Sequence, residues 1–162
     1  MAISKLTVKI TNKTRLQAKI KLLGARLQKR EHQIDVYYQK SVKDRPIRIR
    51  KNLTRGIASL DYQADKQWSA RINDGNMLDV IFQHLRIKEI ATLDKMRSTY
   101  VYKNFIFDLD EIKSKGSYLT LRSRGMTPKR GHKALTDILA DLGLSKQPLI
   151  KQDYWQLITQ KK

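Results

Sequence analysis

The chain has 162 residues, 40% of them hydrophobic, and carries 34 Lys and Arg against 15 Asp and Glu for a formal net charge of +19. That size and apolar content suit one domain with one core, and the absence of cysteine excludes a disulfide framework or a thiolate zinc site. No uncharged apolar run approaches the ~20 residues that span a bilayer and the opening MAISKLTVKITNK lacks the apolar centre of a signal peptide, so the expectation is one soluble, cytoplasmic domain over 1–162 that seeks a polyanion.

Residues 5–10 set Leu6, Val8 and Ile10 against Lys5, Thr7 and Lys9, the alternation of a strand. A helix follows, with Thr14 as N-cap, Leu16, Ile20, Leu23 and Leu27 at helical spacing and Gly24 as the stop. Residues 25–39 turn to β character, and after a loop at Pro46 the segment IRIRK opposes Ile47 and Ile49 to Arg48 and Arg50. Strands are expected over 57–64 and 68–72, then a helix from Asn76 to Arg86 behind the cap Asp74, with Met77, Leu78, Ile81, Phe82 and Leu85 as its core stripe. Three more strands, 90–102, 105–112 and 117–124, are joined by turns at Lys103-Asn104 and Ser114-Lys115-Gly116.

The stretch RGMTPKRGHK, residues 124–133, holds two glycines, a proline and five basic residues with His132 counted, and reads as an exposed basic loop. Its Lys129, Arg130 and Lys133 are the expected nucleic-acid surface. Two helical pieces close the chain, one with Leu135, Ile138, Leu139 and Leu142, the other after Pro148 with Tyr154, Trp155 and Ile158. Each half begins with an apolar-faced helix and continues in strands, a weak internal symmetry. The fold class is therefore α+β, an eight-stranded antiparallel β-barrel with helices packed outside and polar side chains lining its interior.

Four strands carry paired cations: Lys5 and Lys9 flanking Thr7, then Arg48/Arg50, Lys95/Arg97 and Arg122/Arg124. Residues two apart on a strand share a face, so these strands side by side would make a cationic surface for phosphate. The first 55 residues hold sixteen Lys and Arg and three acids, so the N-terminal third should meet a polyanion first. Charge runs commonly just face water, but solubility needs a far smaller imbalance. His32, His84 and His132 have no metal-ligand spacing, and there is no GxxxxGK loop or GxSxG elbow. Tyrosines 37, 38, 62, 100, 102 and 118 read as core or wall before base-stacking platforms.

In order and separation, HQIDVYYQ, IRIRK, LDYQ, KMRSTYVY and FDLDEIKSKGSYLTL resemble the CYTH family, the triphosphate tunnel metalloenzymes that include class IV adenylyl cyclases and thiamine triphosphatases. The likeness runs from about residue 5 to residue 158. It implies an eight-stranded tunnel that grips triphosphate with Lys and Arg and holds magnesium or manganese with acids. Carried over, the phosphate-binding set is Lys9, Arg48, Arg50, Lys95, Arg97 and Arg122, where guanidinium forks suit phosphate oxygens and lysine supplies a point charge.

The acidic half of the pattern is missing. The family's ExExK reads KLTVK, leaving Lys5 and Thr7; a later acid pair reads Ser69 and Arg71; EIE reads TLR, giving Thr120 and Arg122; and an expected lysine is Gln63. Asp110 matches a family aspartate, Asp108 shares its strand face, and Asp61 and Asp35 are further inward candidates. Asp110, Asp108 and Asp61 could hold a relocated magnesium or manganese, but pairing with neighbouring Arg and Lys is the favoured role.

Two functions follow. The favoured one is a divergent CYTH-like, non-enzymatic binder of a triphosphate- or polyphosphate-bearing ligand or RNA, with no cofactor; a variant of it uses the basic exterior on nucleic acid or the ribosome. The alternative is a divergent metal-dependent triphosphatase or class IV adenylyl cyclase. No membrane partner is expected.

Overall fold

A computed structural model describes residues 4–63 and 67–159. The elements are β1 (Lys5–Ile10), α1 (Lys13–Leu22), β2 (Arg26–Gln39), β3 (Ile47–Asn52), β4 (Ile57–Gln63), β5 (Gln67–Ile72), α2 (Gly75–His84), β6 (Lys88–Tyr102), β7 (Phe105–Ile112), β8 (Gly116–Ser123), α3 (Pro128–Asp141) and α4 (Tyr154–Thr159). This is the expected α+β arrangement of eight antiparallel strands and helices, in the sheet order β1-β8-β7-β6-β2-β3-β4-β5. Among the described residues no helix is long and apolar enough to cross a membrane. The chain forms two compact units: unit 1 is Met1–Arg30 with Met96–Lys151, and unit 2 is Glu31–Lys95 with Gln152–Lys162. Two of the three chain boundaries fall inside strands, Arg30/Glu31 in β2 and Lys95/Met96 in β6, and the third, Lys151/Gln152, lies between α3 and α4.

In unit 1, strand alternation sorts the side chains. Val8 stands opposite Leu119, and Leu119 opposite Leu109, so one face of β1, β8 and β7 is apolar. It packs with Leu16 and Ile20 of α1 and Leu135 and Leu139 of α3. The other face carries Thr7, Thr120 and Asp108 in one cross-strand row. Helix α1 is capped by Asn12, whose side chain accepts from the Arg15 N–H at 2.9 Å, rather than by Thr14. Gly24 ends it as expected, at φ +89°, where a Cβ would be strained. Leu27, at helical spacing in the sequence, lies in β2.

The expected basic loop over 124–133 is only half a loop. Pro128 opens α3, so Lys129, Arg130 and Lys133 stand on a helix; proline suits the first turn because its missing N–H has no intrahelical acceptor there. Gly131 lets that turn meet the sheet: a Cβ there would lie 2.5 Å from Ser123 Oγ and 2.6 Å from Ser4 Oγ. Strand β8 ends at Ser123, which leaves Arg124 outside it.

In unit 2, Val36, Tyr38, Ile49 and Phe82 form a smaller core, with the Tyr38 and Phe82 rings edge to face at 5.0 Å. Asp74 caps α2, accepting from the Asn76 and Met77 N–H groups at 2.9 and 3.0 Å. The buried Tyr38 hydroxyl donates to Asp79 at 2.9 Å, and Lys51 pairs with the same carboxylate, which fixes α2 over β3.

Candidate functional site

The polar face of unit 2 follows from register. Tyr37 stands opposite Arg48, Arg48 opposite Asp61, and Asp61 opposite Ser69; one step away Asp35 stands opposite Arg50, and Arg50 opposite Ser59. Alternation puts all of these on the side away from Val36 and Ile49. Arg50 forks Asp35 through Nε and Nη2 at 2.6 and 2.7 Å. Lys95 Nζ donates to the same carboxylate at 2.6 Å with its side chain 1% exposed, and the Tyr154 ring lies 5.8 Å from that ammonium. Arg48 donates from Nε and Nη2 to Asp61 Oδ2 at 3.1 and 2.8 Å, and its Nη1 lies 3.9 Å from Asp35. Ser69 and Ser59 donate to Asp61 at 2.5 and 3.3 Å.

Asp35 is the hub. Burial pushes its carboxyl up, but Lys95, Arg50 and Arg48 outweigh burial and hold it far below the usual carboxylate range. Burial works against the Arg48 charge, yet Asp35 and Asp61 keep it above its ordinary value. Burial and then the Asp35 charge push the Tyr37 hydroxyl up to about 12. The cluster sets three basic side chains against two carboxyl groups and a phenol.

Unit 1 repeats the arrangement with different residues. Arg97 forks Asp110 through Nε and Nη2, both at 2.6 Å, and its Nη1 lies 3.7 Å from Asp108. Arg122 Nη2 and Thr99 Oγ1 donate to Asp108 at 2.5 and 2.8 Å. The Thr7 and Thr120 hydroxyls share a hydrogen bond of 3.1 Å, and Arg122 Nε is buried without a hydrogen bond. Two cations therefore face two carboxylates.

Of the six expected phosphate-binding residues, Arg48, Arg50 and Lys95 come together in unit 2, and Arg97 and Arg122 in unit 1. Lys9 is exposed, opposite Tyr118 in register. The cations do not form an uninterrupted positive surface, because each inward arginine is matched to an aspartate. Arg124 is exposed beyond β8, and the Gln63 side chain lies outside the described residues. Reading the sequence missed the reach of Asp35 to three cations, and missed Thr99 and Ser59 as carboxylate donors. An acid directly before VYY in an alternating strand was the available signal for Asp35.

A divalent cation fits this donor set poorly. Among the described residues no three Asp, Glu or His side chains group as a metal site. The carboxylates of Asp35, Asp61, Asp108 and Asp110 are all engaged by cations and hydroxyls, and hard cations need several oxygens of their own. The positions where the family resemblance implies acids hold Lys5, Thr7, Ser69, Arg71, Thr120 and Arg122.

Comparison with known proteins agrees with the fold. The family model described as the CYTH domain matches residues 2–152. A Methanocaldococcus jannaschii protein named "Putative adenylate cyclase" is 25% identical over 93% of this chain and 94% of its own. A Pyrococcus horikoshii structure superposes with a TM-score of 0.84 at 23% identity, covering 96% of this chain and 99% of that one. A Hippeastrum structure described as a "Putative adenylyl cyclase" that reveals a dominant triphosphatase activity gives a TM-score of 0.66 at 12% identity over 97% of this chain and 94% of its own.

Proposed function

The chain belongs to the CYTH domain family, and from that premise we propose that it binds a triphosphate- or polyphosphate-bearing ligand on its polar strand faces without a divalent cation and without cleaving it. The observation that carries this reading is the arginine–aspartate pairing. A fork through Nε and Nη2, as in Arg50–Asp35, leaves three of the five guanidinium N–H groups for another acceptor. The buried carboxylate thus fixes one rotamer and aims the remaining donors, so that less side-chain freedom is lost on binding. Arg48, Arg50, Lys95, Arg97 and Arg122 are the phosphate-binding residues in this reading, with the exposed Lys9 a further contact. Arg122 Nε, buried and unpartnered, is a donor in want of an acceptor.

The missing acids support loss of metal chemistry. Cations and hydroxyls at Lys5, Thr7, Ser69, Arg71, Thr120 and Arg122 tighten hold on an anion but provide no seat for the ion that would polarise a phosphoryl group.

A second reading is favoured by Asp110, which matches the family's aspartate. A divergent metal-dependent triphosphatase or class IV adenylyl cyclase-like enzyme would use Asp108, Asp110 and Asp61, each released from its arginine when phosphate takes the guanidinium.

Tripolyphosphate separates the two. The binding reading expects a calorimetric signal in chelator that weakens about 10-fold or more in Arg48→Lys, which keeps the charge and loses the fork, and no phosphate release with manganese. Manganese-dependent release of phosphate that Asp110→Ala abolishes establishes the enzyme instead.

A further inference from the structure

We infer that unit 1 carries, outside its polar strand face, a docking surface for the phosphate backbone of a polynucleotide duplex, centred on the first turns of α3. Unit 1 contains twenty Lys and Arg against five acids, and unit 2 fourteen against ten. The inward pairs of unit 1 are balanced, Arg97 and Arg122 against Asp108 and Asp110. Its surplus charge therefore lies elsewhere on the unit.

Backbone contacts gather part of that surplus at one place. The Ser123 N–H donates to the Ser4 carbonyl at 3.1 Å, and the Arg124 N–H to the Asn104 carbonyl at 2.9 Å. Ser4 Oγ donates to the Pro128 carbonyl at 3.1 Å. The end of β8, the turn after β6, the start of β1 and the start of α3 thus meet, bringing together Lys103, Arg124, Lys129, Arg130 and Lys133, all exposed. From Ile112 to Thr136 the chain has no Asp or Glu, and Arg124, Lys129, Arg130 and Lys133 make no ion pair among the described residues.

The surroundings select the partner. No large hydrophobic residue between Leu85 and Leu149 is strongly exposed. A protein interface builds on an apolar centre with aromatic anchors, and a peripheral membrane helix on an apolar wedge; this patch has neither. A polyphosphate backbone needs only cations at close spacing. The exposed aromatics, Tyr62 and Trp68, belong to unit 2, so single-strand base stacking has no platform here, and a sequence-independent duplex contact is the fit.

The test is fluorescence anisotropy of a labelled RNA duplex of about 20 base pairs, a little over the span one double-strand-binding module covers, titrated in chelator at rising salt. The triple variant Lys129→Gln, Arg130→Gln, Lys133→Gln should bind at least about 10-fold more weakly, with the log–log salt slope reduced by about 2–3 units. Tripolyphosphate binding should be unchanged in that variant, and duplex binding unchanged in Lys40→Gln with Lys43→Gln in unit 2. Equal duplex affinity and slope for the triple variant and the parent overturn the proposal. So does phosphatidylserine-vesicle binding as tight as duplex binding and equally sensitive to these three residues.

Discussion

Net charge and site charge run in opposite directions in the two units. Unit 1 holds most of the excess positive charge, yet its polar face sets two arginines against two aspartates. Unit 2 is nearly balanced overall, fourteen basic residues to ten acidic, yet its polar face sets Arg48, Arg50 and Lys95 against Asp35 and Asp61. A chain's total charge therefore reports its exterior. The charge available to a ligand is decided by cross-strand register, which matches each inward cation to a carboxylate or leaves it in surplus.

The largest test of this difference removes one carboxylate from each unit. Asp35→Asn strips the counter-charge from a lysine 1% exposed and from a forked arginine, and should cost about 3–5 kcal/mol in denaturant unfolding. Asp110→Asn leaves chiefly Arg97, 16% exposed, with Asp108 still near, and should cost less. Equal costs would mean that the two clusters are equivalent and the surplus in unit 2 has no energetic meaning.

Next in size is Gly131→Ala, which sets a methyl against Ser4 and Ser123 and should cost about 1–3 kcal/mol as an overpacked contact. Because it pushes the start of α3 from the sheet, it should also weaken duplex binding while leaving tripolyphosphate binding intact.

The Asp35 share of the acid response is smaller. The Asp35 pKa is lowered on folding, so its stabilisation is fully present above the unfolded carboxylate value of about 4 and fades as pH falls towards the lower folded value. Thermal melts should show no Asp35 contribution to pH dependence from about pH 8 to about pH 5, then a decline below about pH 4 that is shallower in Asp35→Asn.

The smallest effect would come from rebuilding an acidic row in unit 1. Thr7→Glu with Thr120→Glu places two carboxylates in the cross-strand row of Asp108. That variant should gain a manganese-dependent rise in melting temperature that the parent lacks.

How much of this was legible in the chain depended on range. Local signals carried well for the strands and some helix ends: alternation places the strands within a few residues, Asp74 is a cap and Gly24 a stop, but of the five residues expected as the core stripe of α2 only Phe82 is buried, while Met77, Ile81 and Leu85 are exposed. The Thr127-Pro128 pair is a helix-start signal, but the glycines and charge around it read as loop, which hides the first turns of α3. The inward arginines were legible because spacing of two is local. The inward aspartates and their pairing with cations were legible for the same reason, but which cation each one meets was not, because Asp35 meets Arg50 and Lys95 fifteen and sixty positions away, and only the register of three strands brings them together.

Metal-independent capture is tested most directly by tripolyphosphate calorimetry, measured once in excess chelator and once in magnesium. Binding in chelator should be at least as tight as in magnesium, which neutralises part of the ligand's charge, with no phosphate released in either. Binding that disappears in chelator and returns, with hydrolysis, when magnesium is restored would contradict it.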